Sequence, residues 1–320
     1  MAGLHLPTIA RGDEDGPLSH ARGFLDMLSD RSAQAARFSF DDATRASWNF
    51  MGTSIKAGLP IEQMNSDQKA AADVLLRRML SGDGYDKARL VMACQDVMRD
   101  LGRGPASRSS ERFSIALFGE PEIGQLWGLR IEGHHLSLSW TLLGDEIVAI
   151  TPASFSVIPQ NIPIGDLKGT VVLDREEGLG RRLIGDLAGA KRKTAIIGEQ
   201  PPGNILAQAG KEGRFTEKVG IPIADLTSAQ QDLLWELIEI TTVEPWPPAI
   251  AEGQRLRVRE GDPASVHFAW AGGLVPGEMF YYRIHGDRFV LEFTSVFGDP
   301  EHLHAIFHDP ERTLGRHMQA

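Results

Sequence analysis

The order of helical and strand-like stretches limits most strongly what this chain can fold into. Residues 23–103 repeat apolar side chains every three or four positions, which is typical of helices. Residues 112–158 read as strands, residues 176–243 as helices and residues 265–309 as strands again. Strands that come in runs favour an α+β protein with an antiparallel sheet. We therefore expect a mostly antiparallel sheet built from a central and a C-terminal β region, flanked by an N-terminal helical region and a middle helical insertion.

The two β regions are expected to belong to one sheet. If they formed two small sheets, each would expose unprotected edge strands. A chain of 320 residues can form one large domain or two ordinary ones. We expect residues 1–22 to be a mobile N-terminal segment and residues 23–320 to form a single domain.

Local signals predict the bounds of several elements. In the central region we expect strands at 113–118, 128–131, 134–143 and 147–151, with a hairpin between the last two. A helix is expected over 66–82, with Ser66 as its N-cap and Gly82 as its C-cap. Three prolines in residues 244–253 predict a break after the second helical region.

Charge and cysteine content argue against several classes of partner. The formal net charge is −10 and the sequence has no long basic block, which argues against nucleic acids and anionic lipids as partners. No apolar run approaches the roughly 20 residues of a membrane span, and the N-terminus lacks a signal-peptide pattern. The single cysteine, Cys94, is expected to be buried on an apolar helix face. We expect a cytoplasmic protein with a small-molecule substrate, and the sequence leaves its oligomeric state open.

The histidines near the C-terminus are the first candidate for chemistry. In the run HLHAIFHD, His302 and His304 are two positions apart. In a strand such residues share one face about 6.6 Å apart, so their rings can bind one metal ion at about 2.0–2.1 Å. His308 would share that face if the strand continued so far. The alternative is a pair of solvent-facing or edge histidines without a ligand.

A second histidine pair occurs in the run EGHHLSLSW. If this run is a continuous strand, His134 and His135 point to opposite faces. His135 would then share a polar face with Ser137, Ser139 and Thr141. His134 would share a mostly apolar face with Glu132, where a buried pair needs a partner or an ion. The sequence does not choose between the two histidines, and both remain candidate ligands.

Two C-terminal strands contain further candidates. Tyr281, Arg283 and His285 lie on one face of the strand in FYYRIHG, and Glu292 lies in the next strand. Arg283 and Glu292 can form a simple cross-strand ion pair. Alternatively, Arg283 orients an anionic substrate group and Glu292 acts as a ligand or general base.

Several long segments of the chain resemble a known family. They include ALFGEPEIGQLWGLRIEGHHLSLSWTLLGDEIVAITPASF, FYYRIHG, FVLEFTSV and HLHAIFHDPERTLGRHM, in that order. The chain resembles a family of uncharacterised bacterial and fungal proteins described only as a domain of unknown function, over nearly its whole length from about Phe24 to His317. The resemblance implies one continuous domain and no settled activity. The signature histidines that it implies are His134, His135, His302 and His304.

Three hypotheses for function follow from these residues. The first is a mononuclear metal enzyme with His134, His135, His302 and His304 as candidate ligands and with Glu132, Arg283 and Glu292 as candidate catalytic groups. Zinc would favour hydrolysis, whereas iron or copper would favour oxidoreductase chemistry. We favour a hydrolase acting on a small polar or anionic substrate, because no redox cofactor motif accompanies the histidines. The alternatives are a non-catalytic protein that binds a small molecule in the same pocket and a structural module.

The metal hypothesis makes a geometric demand. The ring of His302 must lie within about 10 Å of His134 or His135, because ligand bonds to zinc are only about 2 Å long.

Overall fold

The computed structural model of the chain describes residues 16–52, 57–211 and 214–318. Its helices alternate with groups of strands in the expected order. The α-helices are α1 Pro17–Asp26, α2 Asp30–Ala36, α3 Ser66–Met79, α4 Gly82–Asp100, α5 Asp174–Asp186, α6 Gly189–Ala195, α7 Ser228–Thr242 and α8 Pro248–Val258. Short 3₁₀ helices cover Ala43–Arg45, Ile61–Gln63, Ile223–Asp225, Pro263–Ser265 and Thr313–Met318.

Thirteen strands of the described residues form one sheet. They are β1 Arg37–Phe38, β2 Leu59–Pro60, β3 Phe113–Phe118, β4 Leu126–Gly133, β5 Leu136–Leu143, β6 Glu146–Ala149, β7 Ala153–Phe155, β8 Ile196–Gly198, β9 Ile221–Pro222, β10 His267–Gly272, β11 Phe280–His285, β12 Val290–Val296 and β13 Asp299–His308. Their order across the sheet is β1-β3-β4-β5-β7-β13-β12-β11-β10-β8, and in addition β2 pairs with β3, β6 with β5 and β9 with β10. Among the strands of the described residues, parallel pairing occurs only between β1 and β3 and between β8 and β10. The α+β class and the mostly antiparallel sheet are therefore confirmed.

The last strand joins the two β regions. On one side β13 pairs antiparallel with β12, where Thr294 lies opposite His304. On the other side it pairs with β7 through Phe307 and Ala153. The expected single sheet is present, and β13 lies in its middle.

The two faces of the sheet have opposite character although both are buried. In β5 the side chains on one face are Leu136, Leu138, Trp140 and Leu142, and those on the other are Ser137, Ser139 and Thr141. The apolar face packs against helices: α4 contacts β5 and β7, and α5 packs on Tyr282 of β11. Period-two alternation thus separates an ordinary core from a buried polar face.

Two irregular stretches cover the polar face. The first covering segment, residues 44–50, is held by Arg130, which donates to the carbonyls of Thr44 and Arg45. The second covering segment, residues 204–207, crosses β12 and β13. Apolar side chains of both segments pack together on this face with Ile306 in a small core of their own, comprising Trp48, Phe50 and Ile205.

Several predicted boundaries are wrong for local reasons. Asn65, not Ser66, caps α3 in a capping box with Gln68. Gly82 does not end that helix but begins α4, whose N-cap is Ser81. The proline-rich stretch after α7 does not exclude a helix, because Pro248 is the first residue of α8, where a missing N–H costs no hydrogen bond.

The N-terminal part of the chain departs from the expectation of a mobile segment up to residue 22. Residues 17–22 lie in α1, where Leu18 and Ala21 are buried. Residues 1–15 lie outside the described residues. Within the described ranges, no helix combines the length and apolarity required to cross a bilayer.

Gly133 provides a test of how tightly the end of β4 is packed. A Cβ at this position would lie 2.2 Å from Cδ1 of the buried Phe113 ring. We expect Gly133→Ala to lower the free energy of unfolding by about 1–3 kcal/mol, as overpacking of a core does. Urea denaturation measures the change.

Gly178→Ala is the matched control for this substitution. Gly178 lies in α5, and an added Cβ would meet no atom within 4 Å. We expect it to stabilise the protein by up to about 1 kcal/mol through helix propensity. Equal effects of the two substitutions would contradict the packing described for Gly133.

Candidate functional site

Three histidine rings converge at one end of the buried polar face. The Nε2 atoms of His135 and His302 are 2.9 Å apart, and those of His302 and His304 are 3.2 Å apart. Together the three residues offer ligand atoms that all lie within 4.8 Å of one another. The rings of His135 and His302, 167 positions apart in sequence, have centroids separated by 4.9 Å, well within the 10 Å limit stated above.

His135 reaches this position because it lies in a turn and not in a strand. Gly133 pairs with Leu136, so His134 and His135 form the two-residue connection between β4 and β5. The expected strand over 134–143 is therefore wrong at its start, and the alternation argument for the two histidines fails with it. In the turn the two rings stack on each other, with centroids 3.7 Å apart.

The backbone of His135 adopts a conformation that residues other than glycine seldom adopt. Its φ is +72°, in the left-handed region, which costs roughly 1–2 kcal/mol for an ordinary residue. Two backbone hydrogen bonds hold it there: its N–H donates to the carbonyl of Phe50, and its carbonyl accepts from the N–H of Ser156. The first covering segment and the chain after β7 thus position the histidine.

The other two histidines come from one strand. His302 and His304 lie on the same face of β13, as their spacing predicted. The strand continues to His308, whose Nε2 lies 2.8 Å from the carbonyl oxygen of Ala207. His308 therefore shares the face of the pair but contacts the second covering segment.

Burial keeps the three converging imidazoles neutral. It lowers the pKa of His302 to about 4 and that of His304 to about 2. The pKa of His135, which is almost fully buried, is also lowered well below its usual value, first by burial and then by the neighbouring histidines. Neutral imidazole is the form that binds metal ions.

A side chain of the second covering segment orients one of the three rings. Nδ1 of His304 lies 2.8 Å from the amide oxygen of Asn204, so Nδ1–H donates and the lone pair on Nε2 is directed at the other histidines. Metal-binding histidines in proteins usually donate their second ring N–H in this way. His135 has no such partner, because its buried Nδ1 has no hydrogen-bond acceptor among the described residues.

His134 lies beside the cluster but contacts a different set of groups. Its Nδ1 is 3.0 Å from the Arg108 guanidinium and 2.9 Å from the Gln95 side-chain oxygen. Gly52 packs closely on its ring, because a Cβ there would lie 2.9 Å from the imidazole. Three of the four predicted ligands therefore share one point, and His134 supports the ring of His135 by stacking.

Cationic and aromatic groups surround the histidines. The charges of Arg108 and Arg103 act on His302, and Asp299, which pairs with Arg103 at 2.8 Å, opposes them. The Phe50 ring meets His304 edge-on at a centroid distance of 5.0 Å. On the other side, the Phe297 ring lies 5.2 Å from that of His302.

Glu132, a predicted catalytic group, lies outside the histidine cluster. It is almost fully buried and accepts hydrogen bonds from the Asn49 backbone N–H at 2.7 Å and from the Ser137 hydroxyl at 2.9 Å. Its carboxylate also pairs with Arg130 at 3.4 Å. These contacts tie the first covering segment to the sheet.

Glu292 has a similar role under the second covering segment. Its carboxylate accepts hydrogen bonds from the backbone N–H groups of Leu206 and Ala207 and from the Tyr281 hydroxyl. Burial raises its pKa, and these donors oppose that effect. Its contacts are thus those of an anchor for residues 204–207.

Arg283, the third predicted catalytic residue, lies directly opposite Glu292 in the register of β11 and β12. Its guanidinium stacks on the Phe215 ring at 4.0 Å. One strand, β12, lies between it and the histidines of β13, so the two are two strand spacings apart, or roughly 10 Å across the sheet. The polar face therefore holds Arg283 and the histidine cluster in different places.

Several neighbours of the site escaped the sequence reasoning, among them Gln95, Arg108, Asn204 and Phe297. The first three belong to helices or loops whose sequence has no motif for a metal site. The only available signal was the Phe297-Gly298 pair, a turn sequence directly between two predicted strands.

The donor set fits a metal ion. A tetrahedral ion with bonds of about 2.0–2.1 Å places its ligand atoms about 3.3 Å apart, close to the two Nε2 separations found here. Three facing Nε2 atoms on neutral rings cannot all be satisfied by hydrogen bonds with each other, because His304 already uses its only N–H on Asn204. A cation at their centre would satisfy all three lone pairs.

The lowered pKa values predict the acid sensitivity of the metal-free fold. A histidine in the unfolded chain has a pKa near 6.5, whereas the pKa of folded His302 is about 4. Between these two pH values the unfolded state binds a proton that the folded state does not bind. Stability should fall as pH falls from 6.5 to 4, by up to about 1.4 kcal/mol per pH unit for each such group. Urea unfolding in a chelator at several pH values measures this slope, and His302→Gln should reduce it. An unchanged slope would mean that His302 does not titrate in this way.

A known protein family matches most of the chain. A family model described as "Protein of unknown function (DUF3500)" matches residues 15–316. No curated protein and no solved structure matches the chain. Since the match covers nearly the whole length of the sequence, the chain belongs to the DUF3500 family.

Proposed function

We propose that this protein is a metal-dependent hydrolase whose single metal ion is held by His135, His302 and His304. The observation that carries the proposal is the convergence of three Nε2 atoms from two distant parts of the chain. Three protein ligands with one open position are the usual arrangement of a catalytic zinc site. When bound, such an ion supplies an activated water and polarises a substrate oxygen.

The ligand chemistry favours zinc over the other candidate metals. The cluster contains three imidazoles, and the carboxylates of Glu132 and Glu292 are engaged elsewhere. An iron site of the two-His-one-carboxylate type needs a carboxylate ligand. Copper also accepts imidazole ligands, so the identity of the metal is part of the test.

The surrounding residues fit a small polar or anionic substrate. The Arg108 guanidinium lies against His134, which stacks on His135, and the charge of Arg103 acts on His302. These cations favour a negative group beside the metal ion. The protein contributes three oriented ligands and a cationic surrounding, and Phe50 excludes water from one side of His304.

Metal analysis of the purified full-length chain tests the proposal. We expect about one zinc ion per wild-type chain. The double variant His302→Ala/His304→Ala should bind almost none, because it keeps one ligand of three. Elemental analysis after exposure to zinc, iron and copper in turn measures both content and preference.

Two further variants make this experiment specific. His135→Asn removes the imidazole but keeps a residue that tolerates a positive φ, so it should lose metal without losing the turn. His317→Gln changes an exposed histidine outside the cluster and should retain metal. Equal and negligible metal in the wild type and the double variant would refute the proposal.

Asn204 provides a second, independent test. Asn204→Leu removes the acceptor for Nδ1–H of His304 and should weaken zinc binding about 10- to 100-fold. Asn204→Asp keeps an acceptor oxygen at this position and should bind zinc at least as tightly as the wild type. Competition with a chelating dye gives the affinities. If both variants bind zinc equally well, Asn204 does not orient the ligand.

A further inference from the structure

The turn between β12 and β13 contains an aromatic residue in an unfavourable place. Val296 pairs with Asp299, so Phe297 and Gly298 form a two-residue hairpin connection. Both have positive φ, +55° and +72°, as a type I′ turn requires. Asn, Asp or Gly is preferred at the first of these positions, and a bulky side chain there is a strained exception.

The Phe297 side chain gains little burial in return. It is 65% exposed, and it is the only exposed aromatic side chain among the described residues. Its ring nevertheless lies against the histidine pair, with centroids 5.2 Å from His302 and 5.9 Å from His304. The turn thus presents an apolar, flat surface directly beside two of the proposed metal ligands.

The same hairpin also brings a cation to the site. Asp299, which closes the turn, pairs with Arg103 at 2.8 Å. Arg108 is a second cation near the site and lies against His134. With three neutral imidazoles as ligands, a divalent ion would keep its full charge, so an anionic group is favoured at its open position.

We propose that the site takes a small carboxylate that bears a flat apolar group, with the carboxylate at the metal ion and the apolar group on the ring of Phe297. This inference rests on the proposed metal site and adds the class of ligand to it. It makes Phe297 a specificity-determining residue. It also explains why an aromatic side chain occupies a turn position that favours Asn or Gly.

Binding of two simple acids to the cobalt-loaded full-length protein tests the inference. Benzoate and acetate share the carboxylate, and only benzoate has a ring. The visible absorption of the bound cobalt ion reports each titration. We expect benzoate to bind about fivefold or more tightly than acetate, as an aromatic pair contributes.

Substitutions at the turn identify the contact. Phe297→Asn should bring the benzoate and acetate affinities to within about twofold of each other, with acetate affinity unchanged, because only the ring contact is lost. Phe297→Tyr keeps a ring and should keep the preference. The Asn variant should melt at the same temperature as the wild type or higher, since Asn suits a type I′ turn.

The outcomes separate this inference from the proposed function. If cobalt binds and benzoate shows no preference, or if Phe297→Asn keeps the wild-type preference, the inference is wrong and the metal site stands. If cobalt binds neither the wild type nor the Tyr variant, the proposal of a metal site is wrong, and the proposed ligand class is wrong as well.

Discussion

The pairing of β13 on both of its edges is the constraint on which the site depends. β13 is hydrogen-bonded to β12 on one edge and to β7 on the other, so it closes the gap between the central and C-terminal strands. A further bridge pairs Val157 with Leu303, between the two histidines of β13. This register brings His302 next to His135, which follows β4 much earlier in the chain. A shift by one residue would turn both histidines of β13 to the apolar face.

Two buried carboxylates on the polar face bind the two covering segments to the sheet. The carboxylate of Glu132 accepts a hydrogen bond from one backbone N–H of the first covering segment. The carboxylate of Glu292 accepts hydrogen bonds from two backbone N–H groups of the second. A buried carboxylate without such donors would be costly, so each one fixes the loop above it. Because these loops include Phe50 and Asn204, which contact His135 and His304, the two carboxylates support the histidine cluster indirectly.

Of the four non-glycine residues with a left-handed backbone among the described residues, two lie at the three histidines. His135 and Phe297 both have left-handed backbone conformations, and the facing imidazoles are deprived of water. Strain and unsatisfied polar groups of this kind persist where the surrounding structure enforces them, and they cluster at functional sites. Elsewhere, the ion pair between the buried Arg257 and Asp309 is fully formed and anchors the chain after β13.

Apolar periodicity and grouped strands predicted the α+β class and the order of the elements, because these signals are local. They also predicted that His302 and His304 share a face, since a strand repeats every two residues. Local patterns did not show that His134 and His135 form a turn, because the two turn positions hold histidines and not Asn, Asp or Gly, and the run EGHHLS reads as part of a strand. Nor did they place Glu132, Glu292 and Arg283, whose partners lie on loops far away in sequence. Asn204 contacts His304, and Arg108 contacts His134, only after segments distant in sequence have packed together. These contacts are therefore determined by the tertiary structure.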